Sequence, residues 1–257
     1  MGQVALSFVL PAYNEEDFIE DTLGTLEAII KDKNLPYEIV VVDDGSLDGT
    51  LARATRYAKR NGHVKVVSYP NNVGKGYAVK TGFMQASGDV VVFADSDMEI
   101  DLETISKYLE ALEHGDIVIA SKWHSDSRVE VSISRKILSI SFNGLVRLLT
   151  GIPLKDTQSG LKAMKKNAFV DIFPRLAVKR YAFDVELLAV AHLYGLKVVE
   201  MPVRIKMDAS FSARQVGKMF VDLLGIAYRL RVIHWYQRPL PEKNGLQNMV
   251  SFVLREP

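Results

Sequence analysis

The chain predicts an α/β fold with a mostly parallel central sheet and flanking helices. Two observations carry that expectation. Short apolar runs alternate with segments of helical periodicity through roughly the first hundred residues. Polar clusters then follow three of those runs, at the strand ends where open parallel sheets bind ligands.

The elements read off in order. Val4 to Leu10 is a strand-like run ending at Pro11, and Glu15 to Lys31 is helical through Phe18, Ile19, Leu23, Leu26 and Ile30. Glu38 to Val42 is a second buried strand, ended by Asp43-Asp44-Gly45-Ser46. Asp48 to Asn61 reads as a helix with Asp48 near its N-terminal cap. Val64 to Ser68 is a third strand, followed by the turn-rich Pro70-Asn71-Asn72-Val73-Gly74. A helix over Lys75 to Ala86 leads to a fourth strand, Asp89 to Ala94, which runs into Asp95-Ser96-Asp97. Beyond it the pattern loosens. Helices are expected over Leu102 to Glu113, Ser134 to Thr150, Ala182 to Tyr194 and Gln215 to Tyr236, with strands over Asp116 to Ser121 and Lys197 to Val203. The expected division is one α/β domain over 1–212 and a C-terminal amphipathic helix and tail, facing a membrane, over 213–257.

Composition excludes several classes. The net charge of +1 gives no global attraction to nucleic acid. With no cysteine, disulfides and thiolate metal sites are ruled out, so a metal must sit on oxygen or imidazole ligands. The five histidines show no ligand spacing. No stretch reaches the roughly 18 apolar residues of a membrane span. The strongest candidate, Val216 to Trp235, is interrupted by Lys218, Asp222, Arg229 and Arg231. These features lead to an expectation of a cytoplasmic protein held peripherally on the cytoplasmic face of a membrane.

Asp95 and Asp97 follow the very apolar strand Val90 to Ala94. Two carboxylates one residue apart at a sheet edge repel unless a cation neutralises them, and a hard ion such as Mg²⁺ or Mn²⁺ answers that cost. Glu99 is within reach of the same ion, although a lone Asp-x-Asp is common in exposed turns. Gly74-Lys75-Gly76 reads as a helix-entry turn or as a loop approaching an anion. Its spacing is not that of a P-loop, and the first strand is followed by Pro11-Ala12-Tyr13-Asn14 rather than the glycine fingerprint of a dinucleotide fold. NAD and FAD are thereby disfavoured.

Together, Val9 to Glu16, Val42-Asp43-Asp44-Gly45-Ser46-x-Asp48-Gly49-Thr50, Asn72-x-Gly74-Lys75-Gly76 and Asp95-Ser96-Asp97 resemble the ordered motif set of family 2 glycosyltransferases of GT-A fold. Asp156-Thr157-Gln158-Ser159-Gly160-Leu161-Lys162, Phe183-Asp184-Val185-Glu186-Leu187 and Glu200-Met201-Pro202-Val203 are similar to the dolichyl-phosphate hexosyltransferase branch. The Asp-Thr-Gln wording is closer to its glucosyl than to its mannosyl members. The chain departs from the branch in having Ser210-Phe211-Ser212 where a Ser-Lys pair is usual.

The resemblance implies a nucleotide-diphospho-sugar transferase fold and a divalent-metal-dependent, inverting transfer of a hexose, UDP-glucose being the favoured donor, to a polyprenyl phosphate. It implies that Pro11, Tyr13, Glu15 and Asp43 line the nucleotide, with Lys75 assisting, and that Asp95 and Asp97, joined by Glu99, hold the metal on the diphosphate. A phosphate acceptor is already anionic, so it needs cations more than a base. Lys122 and Arg135, with Ser134 at the start of a helix, are the candidates for it. Lys206 or Arg204 is placed to clamp the donor diphosphate, with Arg214 as a further cation. Asp97, Lys122 and Arg135 are the expected catalytic set. Asp156, Gln158 and Asp184 are further candidates, each with a turn, cap or structural role as the alternative. A carbohydrate acceptor, and a nucleotide-binding scaffold without catalysis, are the competing readings. A partner that supplies membrane spans is left open.

Overall fold

The computed structural model of the chain describes residues 4–31, 35–94, 105–131, 133–158, 160–206 and 213–239, with the backbone alone at 133–135, 205–206 and 213–214. Its first part is a strict alternation: β1 (Leu6–Ala12), α1 (Ile19–Lys31), β2 (Tyr37–Asp43), α2 (Thr50–Arg60), β3 (Val64–Ser68), α3 (Lys75–Gln85) and β4 (Val90–Phe93). The second part runs α4 (Ile105–Ala111), β5 (Ile117–Ala120), β6 (Arg128–Glu130), α5 (Ile133–Thr150), β7 (Lys162–Lys165), α6 (Lys166–Phe169), α7 (Phe183–Leu193), β8 (Val198–Met201), β9 (Arg204–Lys206) and α8 (Ala213–Arg231).

The main sheet has seven strands in the order β3-β2-β1-β4-β7-β5-β8. All neighbours are parallel except β7, which runs antiparallel to both β4 and β5. A separate parallel pair joins β6 to β9. Period-two alternation sends side chains to two cores. Val9, Val40, Val42, Val91, Phe93, Ile117 and Met164 pack on the face covered by α3, α7 and α8. Phe8, Leu10, Ile39, Val41, Val92 and Val118 pack on the other, against α1 and α4.

The mostly parallel α/β architecture agrees with the sequence expectation, and several boundaries are corrected. Pro11 lies inside β1, not beyond its end. Val9 gives its carbonyl to the Ala94 amide and Ala12 gives its own to the Asp44 amide. Odd positions therefore face β4, whose last pair with β1 is Val9↔Phe93. Proline, which has no N–H to offer, falls just past that ladder. The antiparallel β7 had no counterpart in the sequence reading, because two lysines flank its apolar centre. The last helix ends at Arg231 rather than Tyr236. His234 turns left-handed (φ 48), and Trp235–Gln237 form a short 3-10 turn. Tyr236 is therefore fully buried while Trp235 remains exposed.

Candidate functional site

Parallel strands place the residues that follow β1, β2, β3 and β4 along one edge of the sheet. The loops after β1 and β2 are stitched together there. The Asn14 amide donates to Ser46 Oγ (3.0 Å), the Leu47 amide to Asn14 Oδ1 (2.9 Å) and the Glu15 amide to Thr50 Oγ1 (2.8 Å). The Glu16 amide donates to Asp48 (3.2 Å), and the Gly49 amide to the Glu16 carboxylate. Asn14 takes φ 56, a left-handed conformation that asparagine tolerates better than most residues. Asp48 also accepts from the Thr50 amide (3.0 Å) at the start of α2, close to the expected cap.

Two adjacent aspartates end β2 and take different roles. Asp43 is buried and accepts from the Ser68 hydroxyl (2.9 Å) and the Ser46 amide (3.3 Å). Asp44 builds the loop before α3, accepting from Asn72 Nδ2 (2.9 Å) and from the Val73 and Gly74 amides (both 2.9 Å). That loop crosses so close that a Cβ on Gly45 (φ 67) would meet the Asn71 carbonyl carbon at 2.4 Å. Gly74 (φ 125) is the residue before α3.

Of the predicted nucleotide residues, Pro11, Tyr13, Glu15, Asp43 and Lys75 come to this edge. Pro11 and Asp43 are buried, Glu15 and Lys75 half-buried, and the Tyr13 ring exposed. β4 delivers the chain to the same edge, beside β1 on one flank and β7 on the other. Asp95, Asp97 and Glu99 lie outside the described residues. Among the described residues no cluster of three or more Asp, Glu or His is arranged to hold a metal. The donor set that the sequence puts after β4 is all carboxylate oxygen, the chemistry that suits Mg²⁺ or Mn²⁺.

Lys122 follows β5 and is held internally. Its ammonium pairs with Asp156 at 2.8 Å and donates to the Gln158 carbonyl at 2.9 Å, and its amide donates to Asp156 at 2.9 Å. An ammonium has three N–H donors, so at most one is left for a ligand. Glu200, on β8, holds the same segment through the Lys155 and Asp156 amides (both 3.1 Å) and the Ser121 hydroxyl (2.9 Å). Asp156 and Gln158 thus line the Lys122 pocket. Ser134 and Arg135 lie in the first turn of α5, Arg204 and Lys206 on β9, and Arg214 on α8; of these, the side chains of Ser134, Arg135, Lys206 and Arg214 are not described.

One charged group was not singled out from the sequence. Lys162 starts β7 opposite Phe93 and Ile119, and its buried ammonium pairs with Asp184 at 3.0 Å. This places a cation at the sheet edge next to the end of β4, and it brings Asp184, in the first turn of α7, into the same neighbourhood. The signal available in the sequence was a lysine opening the short apolar pair Ala163-Met164. Beyond the Asn72-Val73 loop lies an open cavity of about 640 Å³, whose lining includes Lys179, Arg180, Asp222 and Arg229.

Comparison with known proteins identifies the family and the fold. The family described as Glycosyl transferase family 2 matches residues 7–173. A dolichyl-phosphate beta-glucosyltransferase of Trichomonas vaginalis is 36% identical over 248 residues, spanning 90% of this chain and 76% of that protein. The Homo sapiens dolichyl-phosphate beta-glucosyltransferase is 34% identical over 252 residues, spanning 90% and 77%. Among solved structures, glucosyl-3-phosphoglycerate synthase from Mycobacterium tuberculosis, in complex with Mn²⁺, UDP-glucose and phosphoglyceric acid, superposes with a TM-score of 0.66. The identity there is 20%, over 92% of this chain and 81% of that one, so the likeness is one of fold. The mostly parallel central sheet with flanking helices is that of a GT-A, Rossmann-like architecture. The chain belongs to glycosyl transferase family 2 and is related to the dolichyl-phosphate glucosyltransferases.

Proposed function

We propose that this chain is an inverting, divalent-metal-dependent transferase that moves glucose from UDP-glucose to a polyprenyl phosphate at a membrane surface. The observation that carries the reading is the likeness to dolichyl-phosphate beta-glucosyltransferases over about nine-tenths of the chain, donor loops included. The solved transferase of the same fold, bound to Mn²⁺ and UDP-glucose, supports the donor and metal assignments.

In this reading Pro11, Glu15 and Asp43 border the base and ribose, and the exposed Tyr13 offers a ring face to the base. Lys75 opens α3, where a cation and the positive end of the helix dipole both favour the anionic nucleotide. Asp95 and Asp97, with Glu99, would hold the metal. A bound Mg²⁺ or Mn²⁺ supplies electrostatic stabilisation to the departing nucleoside diphosphate. Lys206 would clamp the donor diphosphate, while Lys122, Ser134 and Arg135 would receive the acceptor phosphate. The Lys122 side chain is fixed by Asp156 and Gln158, which limits its reorganisation when the phosphate arrives.

The outer surface of two packed helices fits the lipid acceptor. Ile137, Ile140 and Leu148 on α5 are exposed, as are Val221, Leu224 and Tyr228 on α8. Lys136, Lys218 and Arg231 lie among them on the exposed faces. Exposed apolar residues interspersed with cations suit the headgroup region of a bilayer. Among the described residues no helix is long and apolar enough to cross a membrane.

The test is transfer of label from UDP-glucose or GDP-mannose to dolichyl phosphate, with Mn²⁺ or with EDTA. The reading expects lipid-extractable label from UDP-glucose, abolished by EDTA and by Asp97→Ala. Label from GDP-mannose alone would overturn the sugar assignment. Transfer indifferent to EDTA would overturn the metal.

A further inference from the structure

Residues 174–180 form a strap between the nucleotide loop and the C-terminal helix. From α3, the Lys80 ammonium donates to the carbonyls of Pro174 (3.2 Å) and Leu176 (2.9 Å). The next two amides, of Ala177 and Val178, donate to Glu186 Oε2 at 2.9 and 2.8 Å. The other oxygen of that carboxylate accepts from Arg229 of α8 at 3.1 Å and from the Tyr236 hydroxyl at 2.5 Å. Arg229 in turn donates to the Tyr236 oxygen at 2.9 Å. Glu186 is fully buried, and its partners come from the strap, α8 and the turn after it.

The far end of the strap touches the donor loop. The Lys179 carbonyl accepts from the Tyr77 amide at 3.1 Å, in the first turn of α3. A Cβ on Gly74 would lie 2.6 Å from the Lys179 oxygen and 2.6 Å from Arg180 Cγ, so glycine is needed for the strap to seat. A Cβ on Gly76 would meet Phe183, the first residue of α7, at 2.5 Å. Glu186 lies one helical turn further along α7.

A buried carboxylate is a poor choice for stability alone, because its desolvation offsets much of what its partners return. Its hydrogen bonds do, however, fix the position of every group that donates to it. We propose that Glu186 is a positioning residue for the donor site: through the 174–180 strap it makes the conformation of Gly74-Lys75-Gly76 depend on the docking of α8. The proposal rests on the reading of that loop as part of the nucleotide site.

The experiment uses the full chain and two variants, Glu186→Gln and Tyr236→Phe. Glutamine keeps the shape and can still serve the strap amides with its oxygen, but it turns an NH₂ toward Arg229. Hydrogen exchange at the Tyr77 and Ala78 amides reports the loop directly. Titration with UDP and Mn²⁺ reports the site, and the KM and kcat for UDP-glucose divide binding from turnover. In Glu186→Gln, exchange at those amides should accelerate, and UDP affinity should fall about tenfold. KM should rise while kcat holds within about twofold, since the chemistry at saturation is untouched. Tyr236→Phe should move each value the same way by less. Unchanged exchange and UDP affinity in a folded Glu186→Gln would overturn the proposal, as would an unchanged KM with apparent kcat falling only with the folded fraction. If the parent chain bound no UDP, the donor-site reading would fail instead, and the exchange result would still decide the coupling.

Discussion

The half of the sheet built by β1 to β4 and the half built from β5 to α8 differ in what their carboxylates hold beyond backbone amides. In the first, Asn14, Asp44 and Asp48 are spent on backbone amides, each fixing a loop at the carboxyl edge. In the second, charges meet charges: Lys122 with Asp156, Lys162 with Asp184, and Arg229 with Glu186. A loop pinned by amides gives a ligand a preformed surface. Buried ion pairs instead tie distant segments to one another, and each exacts a desolvation penalty. The loops after β1 and β2 are pinned by side chain–amide bonds and the β5-to-α8 half is tied by ion pairs, and in both the partners come from distant stretches of chain.

The contrast predicts where substitutions act. Arg229→Met leaves the fully buried Glu186 without its cation, and should cost about 3–5 kcal/mol. Denaturant unfolding measures it; a loss under about 1 kcal/mol would show that the pairs of this half do not carry its cohesion. Gly45→Ala should cost less, about 1–3 kcal/mol, because φ 67 is strained for alanine and its Cβ would press on Asn71. It should also raise the donor KM without affecting acceptor use.

The first half also contains a buried carboxylate paired with a lysine, Glu38 with Lys65, and it gives a pH signature. Burial pushes the Glu38 carboxyl up, but the Lys65 ammonium, the Ser7 hydroxyl and the Ser87 amide outweigh it and hold the pKa near about 2. The unfolded chain takes up that proton at about pH 4.5, so the stabilisation is complete above that range and is lost as pH falls toward 2. Glu38→Gln should flatten this part of the stability–pH curve. If it leaves the acid limb unchanged, the Glu38 pairing is worth nothing to the fold.

The smallest effect on stability is expected on the outer face of α8. Val221 is 67% exposed, so Val221→Asp should leave stability within about 0.5 kcal/mol. Binding to vesicles containing anionic lipid should weaken about fivefold, by lost apolar contact and added like charge. Unaltered vesicle binding would remove α8 from the membrane-facing surface.

The same contrast explains what the sequence disclosed. β1 to β4 are mostly apolar runs with helices between them, and their succession along the chain follows from periodicity. The polar clusters at their ends were visible as candidates because Asp and Asn after an apolar run stand out. That Asp44 pins Val73 and Gly74 was not visible, since that depends on the return of a loop about thirty residues away. In the second half, β7 has only Ala163 and Met164 as its apolar centre, and it is a strand because β4 and β5 flank it. Arg229 read as one of several cations on a membrane-facing helix, yet its partner is a buried carboxylate on another helix. Burial of a charge is a tertiary fact, with no local pattern to announce it. Metal ligation at Asp95, Asp97 and Glu99 lies outside the described residues and remains a proposal carried by the sequence.

The central claim is that the sugar goes to a lipid phosphate. The most direct measurement offers labelled UDP-glucose and Mn²⁺ to the full chain together with three competing acceptors: dolichyl phosphate in vesicles, phosphoglyceric acid in solution, and a neutral oligosaccharide. The account predicts label in an acid-labile glucosyl phosphate of the lipid fraction, suppressed when Arg135 is replaced by methionine. Label recovered in the phosphoglyceric acid or oligosaccharide fraction, with none in the lipid, would contradict it.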